Sequence, residues 1–265
     1  MPCAAGRVGV STSSATGSGP PGADRSASSP RSFALAGIAV VLAALAISAS
    51  APRPPGNEFW FWIAACLAGE LMWVRLPLGR VTLSMASACN FAALLLLPRA
   101  EAMLAAAAAS LVAELCFMRK PPARALFNAG QTVLAVGGGS VVYHALSNPG
   151  AMSAATILAA GLLPLAAAAA AYALANTGAV SVAVGLTEAI APWRAWWRNF
   201  GSLYELLSTS ALFSLGTLIA VLYSLAGPLG TALVSLPLLL VHDSYRRYLR
   251  REGEPGEREE AQRAA

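Results

Sequence analysis

The sequence predicts an all-α, polytopic transmembrane helical bundle of about eight spans. Two observations predict it. First, 57% of the 265 residues are hydrophobic and only 12% are charged, whereas soluble domains are about 45–50% apolar and about 25% charged; the mean hydropathy of +0.60 agrees. Second, the apolar residues gather in long runs joined by short, arginine-bearing connections. This composition excludes a disordered protein, a soluble basic nucleic-acid binder and a disulfide-stapled secreted domain, and it argues against an ordinary cytosolic enzyme. The net charge of +5 then reflects basic cytoplasmic loops and no nucleic-acid partner.

The elements follow in order. Residues 1–31 are rich in Ser, Gly, Pro and Ala without a hydrophobic period, which predicts a disordered cytoplasmic tail. The transmembrane domain covers 32–251. Its first span runs about Ser32 to Ala51, the second Glu58 to Val74, the third Val81 to Leu97, and the fourth Ala100 to Met118. The fifth runs Arg124 to Leu146, the sixth lies within Ala154 to Leu186, the seventh runs Ser202 to Leu225, and the eighth Leu229 to Val241. A crossing takes roughly 17–25 helical residues. The second and third spans are near the short limit, and the eighth is expected to continue through His242 to Tyr248. If Ala49-Ser50-Ala51 is a signal-peptide cleavage site, seven spans remain.

The sixth stretch is too long for one upright crossing and barely long enough for two. Counting it once, with the N-terminus inside, puts all of the 18 basic residues except Arg53 and Arg99 on the cytoplasmic side. The positive-inside bias therefore favours one tilted or kinked helix, with Pro164 as the kink. Both termini are then cytoplasmic, including the charged tail 252–265, and the expected location is the inner or plasma membrane.

Interface anchors fit this topology. Trp60 and Trp62 start the second span and Trp73 ends it. Trp193, Trp196, Trp197, Phe200 and Tyr204 form one helical stripe, and Arg194 and Arg198 another. The segment reads as a short amphipathic helix on the cytoplasmic surface, either a simple anchor or a ligand-responsive gate.

Within the membrane, small residues allow close helix packing. Ala105 to Ser110, Gly137-Gly138-Gly139-Ser140 and Ala166 to Ala171 supply such faces, which places the fifth and sixth helices in the bundle centre, with the glycine run as a close crossing. Polar groups at depth are costly. Asn90 and Asn176 are deepest, Asn128 and Gln131 share a face at intermediate depth, and Glu114 lies near the inner end with Arg119 or Arg124 as partners. These five residues either fix packing by interhelical hydrogen bonds or line a polar cavity for a small ligand.

No catalytic constellation emerges. The sequence lacks G-x-S-x-G, H-E-x-x-H and P-loop motifs, and its two histidines, His144 and His242, fall at opposite faces of this topology. Cys3, Cys66, Cys89 and Cys116 show no C-x-x-C spacing, so no metal or cofactor is expected and the cysteines read as small buried side chains.

Gly69-Glu70-Leu71 through Val74-Arg75-Leu76-Pro77-Leu78-Gly79, then Thr82-Leu83-Ser84, form a first motif. Arg124 to Gln131 and Leu174-Ala175-Asn176-Thr177 form two more. In this order they resemble the multi-span membrane module found before HD-GYP or GGDEF signalling domains in bacterial proteins, across roughly residues 32 to 250. The resemblance implies an input or sensing module. With Ala265 as the last residue, the expectation is that module alone, so its catalytic residues are not carried over. The functional expectation is a non-enzymatic integral membrane protein, sensory or signalling in type. Its partners are the lipid bilayer and a cytoplasmic signalling protein or small ligand. The alternative is a small-solute transporter or substrate-binding membrane subunit.

Overall fold

A computed structural model describes residues 56–75, 82–147, 154–240, 243, 244 and 247. The tail 1–31, the first span and the tail 252–265 lie outside the described residues.

Helix α1 (Asn57–Leu71) leads into strand β1 (Trp73–Arg75). Strand β2 (Thr82–Ser84) pairs antiparallel with β1, Trp73 facing Ser84 and Arg75 facing Thr82. The connection between the strands carries Pro77 and Gly79, residues that stop helices. This short two-stranded ribbon is a local feature the sequence reading did not foresee, in a fold whose class is all-helical as expected. Helix α2 (Ala86–Leu96) ends where Pro98 forces extended backbone on Leu97. Helix α3 (Arg99–Val112) runs on into a π-helical turn, Ala113–Phe117. Helix α4 (Pro122–Leu146) starts with Pro122, whose missing N–H costs nothing in a first turn.

The predicted sixth stretch is broken, but not where the sequence suggested. Gly161 adopts φ 79 and separates α5 (Ala154–Ala160) from α6 (Leu162–Glu188). Only glycine takes that backbone readily, whereas Pro164 sits in the first turn of α6, where its missing donor is harmless. At the far end Ala189 adopts φ 52 and turns the chain into α7 (Pro192–Phe200). Helices α8 (Leu203–Ala226) and α9 (Pro228–Leu240) follow. Asp243, Ser244 and Arg247 are also helical, and Arg247 pairs with Asp243 at 2.5 Å. The rest of the expected extension to Tyr248 lies outside the described residues.

Four helices among the described residues are long and apolar enough to cross a membrane: Arg99–Phe117, Pro122–Leu146, Leu162–Glu188 and Leu203–Ala226. The count of about eight is therefore not supported. The second and third predicted spans fall short because β-structure takes their inner ends. The 15 residues of α1 and 11 of α2 give about 22 Å and about 16 Å of helix, against about 30 Å of hydrocarbon.

The short helix α2 is the centre of the molecule. Every residue from Asn90 to Leu97 is buried, and α1, α3, α4 and α8 all pack against it. Phe91 of α2, Tyr172 of α6 and Phe213 of α8 meet as a ring cluster, with centroids 4.9 Å apart for Phe91–Phe213 and 5.2 Å for Tyr172–Phe213. Small residues set the close approaches. A Cβ on Gly216 would lie 2.6 Å from the Ala88 carbonyl oxygen, and one on Gly139 would lie 2.7 Å from Leu94 Cδ1. The glycine run of α4 is thus a close crossing in an unbroken helix. Helices α4 and α6 form the most extensive pair, yet α6 is peripheral, with Leu162, Leu163, Leu174 and Leu186 exposed. The expectation that it lies in the bundle centre is corrected: one face meets α4 and the other presents leucine to lipid.

Candidate functional site

The polar side chains gather at the end of the bundle where α3 gives way to α4. Two successive prolines, Pro121 and Pro122, prevent the helix from continuing, and Arg119 adopts a left-handed φ of 51. That turn swings Lys120 back over the π turn. Its backbone N–H donates to the Glu114 carbonyl at 2.9 Å, and its ammonium donates to Glu114 Oε1 at 2.6 Å. Asn128 Nδ2, one turn into α4, donates to the same Oε1 at 2.5 Å. Glu114 is 5% exposed, and its other oxygen, Oε2, is buried without a partner. Glu70 lies at the C-terminal end of α1, the helix that packs against the π turn from the other side. The sequence expectation that Arg119 or Arg124 pairs with Glu114 is corrected: both are exposed, and the backbone reversal delivers Lys120.

Further along, Gln131 Nε2 donates to Asn176 Oδ1 on α6 at 2.7 Å. The next residue, Thr177, accepts from Trp196 Nε1 of α7 at 2.9 Å while donating to the Ala173 carbonyl at 2.7 Å. Arg198 closes the sequence by pairing with Glu188 at the end of α6, 2.5 Å away. Asn128 and Gln131 share a face of α4, and Asn176 and Thr177 are neighbours on α6. Side-chain hydrogen bonds thus join the π turn to α4, α4 to α6 and α6 to α7, while Asn128 and Gln131, and Asn176 and Thr177, are connected to each other through the backbone of their helices. Asn90 stands apart. It is 2% exposed, makes a long 3.5 Å contact to the Tyr172 hydroxyl, and leaves its Oδ1 unpartnered.

Helix α7 divides the aromatic stripe read from the sequence. Trp193 and Trp197 are exposed, and Arg194 sits over the Trp193 ring at 5.3 Å. Trp196 turns inward and donates to Thr177, and Arg198 pairs with Glu188.

The sequence reading gave no site role to Lys120, Tyr172 or Thr177. Lys120 carried a signal, being the one lysine beside 17 arginines. Of the cysteines, Cys66 is buried, but Cys116 is exposed on the π turn, against the expectation of buried side chains. Among the described residues no group of three His, Cys, Asp or Glu could hold a metal ion. A cleft of about 200 Å³ opens between α1, α2, α8 and α9, lined by Phe61, Ala65, Ala68, Ala88, Ile219 and Leu239. None of the four amides, Asn90, Asn128, Gln131 and Asn176, lines it.

No curated protein and no solved structure matches the chain. A family model, MASE9, matches residues 59–244, from the start of α1 to just beyond α9, and so includes every polar group named above. That match spans more than half of the chain, which therefore belongs to the MASE9 family, and MASE domains are membrane-associated sensory modules.

Proposed function

We propose that this chain is a non-enzymatic, multi-pass sensory module of the inner or plasma membrane that works through a cytoplasmic signalling partner. Its termini face the cytoplasm, as does the Lys120 end of the bundle. The observation that carries this reading is the line of side-chain links from Glu114 to α7. It ties a buried acid to a surface helix with two exposed tryptophans through three interhelical hydrogen bonds set on the rigid helices α4 and α6, a route by which an event inside the bundle can move an outer element. The even number of crossings belongs to the same reading. The sequence resemblance to modules preceding HD-GYP and GGDEF domains supports a cyclic-di-GMP enzyme as the partner class.

The solute-carrier alternative needs the four amides in one cavity. They sit instead in separate interhelical contacts, α2–α6, α4–π turn and α4–α6, an arrangement that supports packing and coupling.

The test is a photocrosslinker in place of Arg194, in living cells. The reading predicts one recurrent cytoplasmic signalling protein, crosslinked less when Asn176→Leu interrupts the links. No recurrent partner, together with solute uptake by the purified chain in vesicles, would overturn it.

A further inference from the structure

The cleft between α1, α2, α8 and α9 takes no part in the hydrogen bonds that lead to α7. Much of its lining is one stripe on each of two helices, from Phe61 to Met72 on α1 and from Pro228 to Leu239 on α9. The stretch from Phe61 to Met72 covers about 16 Å of helix, so the space is long and narrow. Its middle is open because small residues stand there, Ala64 and Ala68 on α1 and Ala232 and Ser235 on α9. Ala64, Ala68 and Ala232 are exposed, so the cleft opens on the outer surface of the bundle. Its volume is about 200 Å³, and a dry apolar cavity of roughly 150 Å³ is enough to hold benzene. One short alkyl chain fits, with its end emerging at the open side.

The wall carries one uncommitted polar group. Thr231 lines the cleft, is 6% exposed, and its Oγ1 is buried without a partner. Hydroxyls in this bundle commonly bond back along their own helix. Ser208, Ser210, Ser214, Thr217 and Ser224 of α8 all donate to the carbonyl four residues earlier. For Thr231 that residue is Gly227, whose φ of 59 takes it out of the helix. A buried hydroxyl left without an acceptor is costly. Threonine takes two χ1 rotamers in a helix, so this hydroxyl can turn toward an occupant of the cleft. Water suits the space poorly, because a buried water needs about two to four polar partners and the lining is apolar apart from Cys89, Thr231 and Ser235. A charged head group is no better matched: among the described residues no charged side chain lines the cleft, and an unpaired charge in an apolar site is unfavourable. Thr231 lies in the first turn of α9, the partly positive end of a helix. The complementary group is therefore a neutral acceptor oxygen.

We propose that this cleft is a binding site for a neutral lipophile, one alkyl chain bearing a carbonyl group, that enters sideways from the bilayer. The chain lies along the small residues of α1 and α9, and the carbonyl oxygen accepts from the Thr231 hydroxyl. The proposal goes beyond the sensory reading and does not rest on it, since it concerns a different end of the helix packing from the route to α7.

A 2-nonanone bearing a photoreactive diazirine tests it, with the full chain in phosphatidylcholine nanodiscs and the labelled residues mapped by mass spectrometry. Labelling of the α1 and α9 stripes is expected to saturate. At equal concentration in the bilayer, plain 2-nonanone is expected to compete about two- to tenfold better than nonane, the worth of one hydrogen bond. Thr231→Val keeps the shape of the side chain and is expected to abolish that preference while leaving competition by nonane unchanged. Ala68→Phe is expected to fill the slot and prevent labelling. If either variant fails to fold, the ketone-against-alkane comparison in the unaltered chain decides. Labelling that does not saturate, as when bilayer acyl chains or another part of the chain fill the cleft, overturns the proposal. Equal competition by nonane and 2-nonanone does so too, as does stronger competition by nonanoate, which would call for an anion. A labelled cleft with no partner crosslinked at position 194 keeps the site and removes the signalling reading. A crosslinked partner with an unlabelled cleft does the reverse.

Discussion

At the scale of single residues, Asn128, Gln131 and Asn176 each meet a polar side chain of another element, whereas Glu114 Oε2 and Asn90 Oδ1 have no partner. Asn128→Leu strips a donor from Glu114 and is expected to lower stability by about 1–2 kcal/mol, read by denaturation in mixed micelles. Gln131 and Asn176 are half-buried and hydrogen-bond each other, so either single change to Leu leaves the other without its partner. The double change removes both groups, and its cost is expected to fall clearly below the sum of the two singles. An additive result would mean the 2.7 Å contact contributes nothing. Depth along apolar runs was enough to single out Asn90, Asn128, Gln131, Asn176 and Glu114 from the sequence. Their partners were not, because a partner on another helix depends on tertiary register. Lys120 was hidden by a local event, the left-handed backbone of Arg119, that no simple rule for arginine anticipates.

At the scale of elements, helix contact is governed by whether a Cβ fits. On Gly216 it would meet the Ala88 carbonyl oxygen at 2.6 Å, whereas on Gly178 it meets nothing within 4 Å. Gly216→Ala must push α8 away from α2 and is expected to cost about 1–3 kcal/mol. Gly178→Ala, in the interior of α6, is expected to gain up to about 1 kcal/mol from propensity alone. Thermal unfolding of the two variants side by side checks the opposite signs. Trp196→Phe keeps the ring but removes the donor to Thr177. It is expected to loosen α7, seen as faster protease cleavage near Arg194 and Arg198 with the remaining helices intact. The long helices, α4, α6 and α8, were recognisable from apolar run length, and α7 from its stripe of aromatic residues. The ribbon was not, since two three-residue strands are held by pairing across a turn and carry little signal of their own. The break at Gly161 was attributed to Pro164 because proline is the stronger helix breaker in a helix interior, though not in a first turn.

At the scale of the whole molecule, the layout is a buried short helix, α2, ringed by longer ones whose outer faces carry leucine, with the charged cluster at one end and the ends of α6 and α7 linked to it. The composition alone announced a membrane bundle. The arginine distribution predicts an orientation in which Cys116, exposed on the π turn beside the Glu114 cluster, faces the cytoplasm. Thiol labelling reads this directly. In a chain with Cys3, Cys66 and Cys89 changed to Ser, a membrane-impermeant maleimide applied to intact cells should leave Cys116 unmodified and should label it once the membrane is opened. Labelling of Cys116 from the exterior of intact cells would place the acid cluster and α7 on the wrong side of the membrane for any cytoplasmic partner, and would contradict the account.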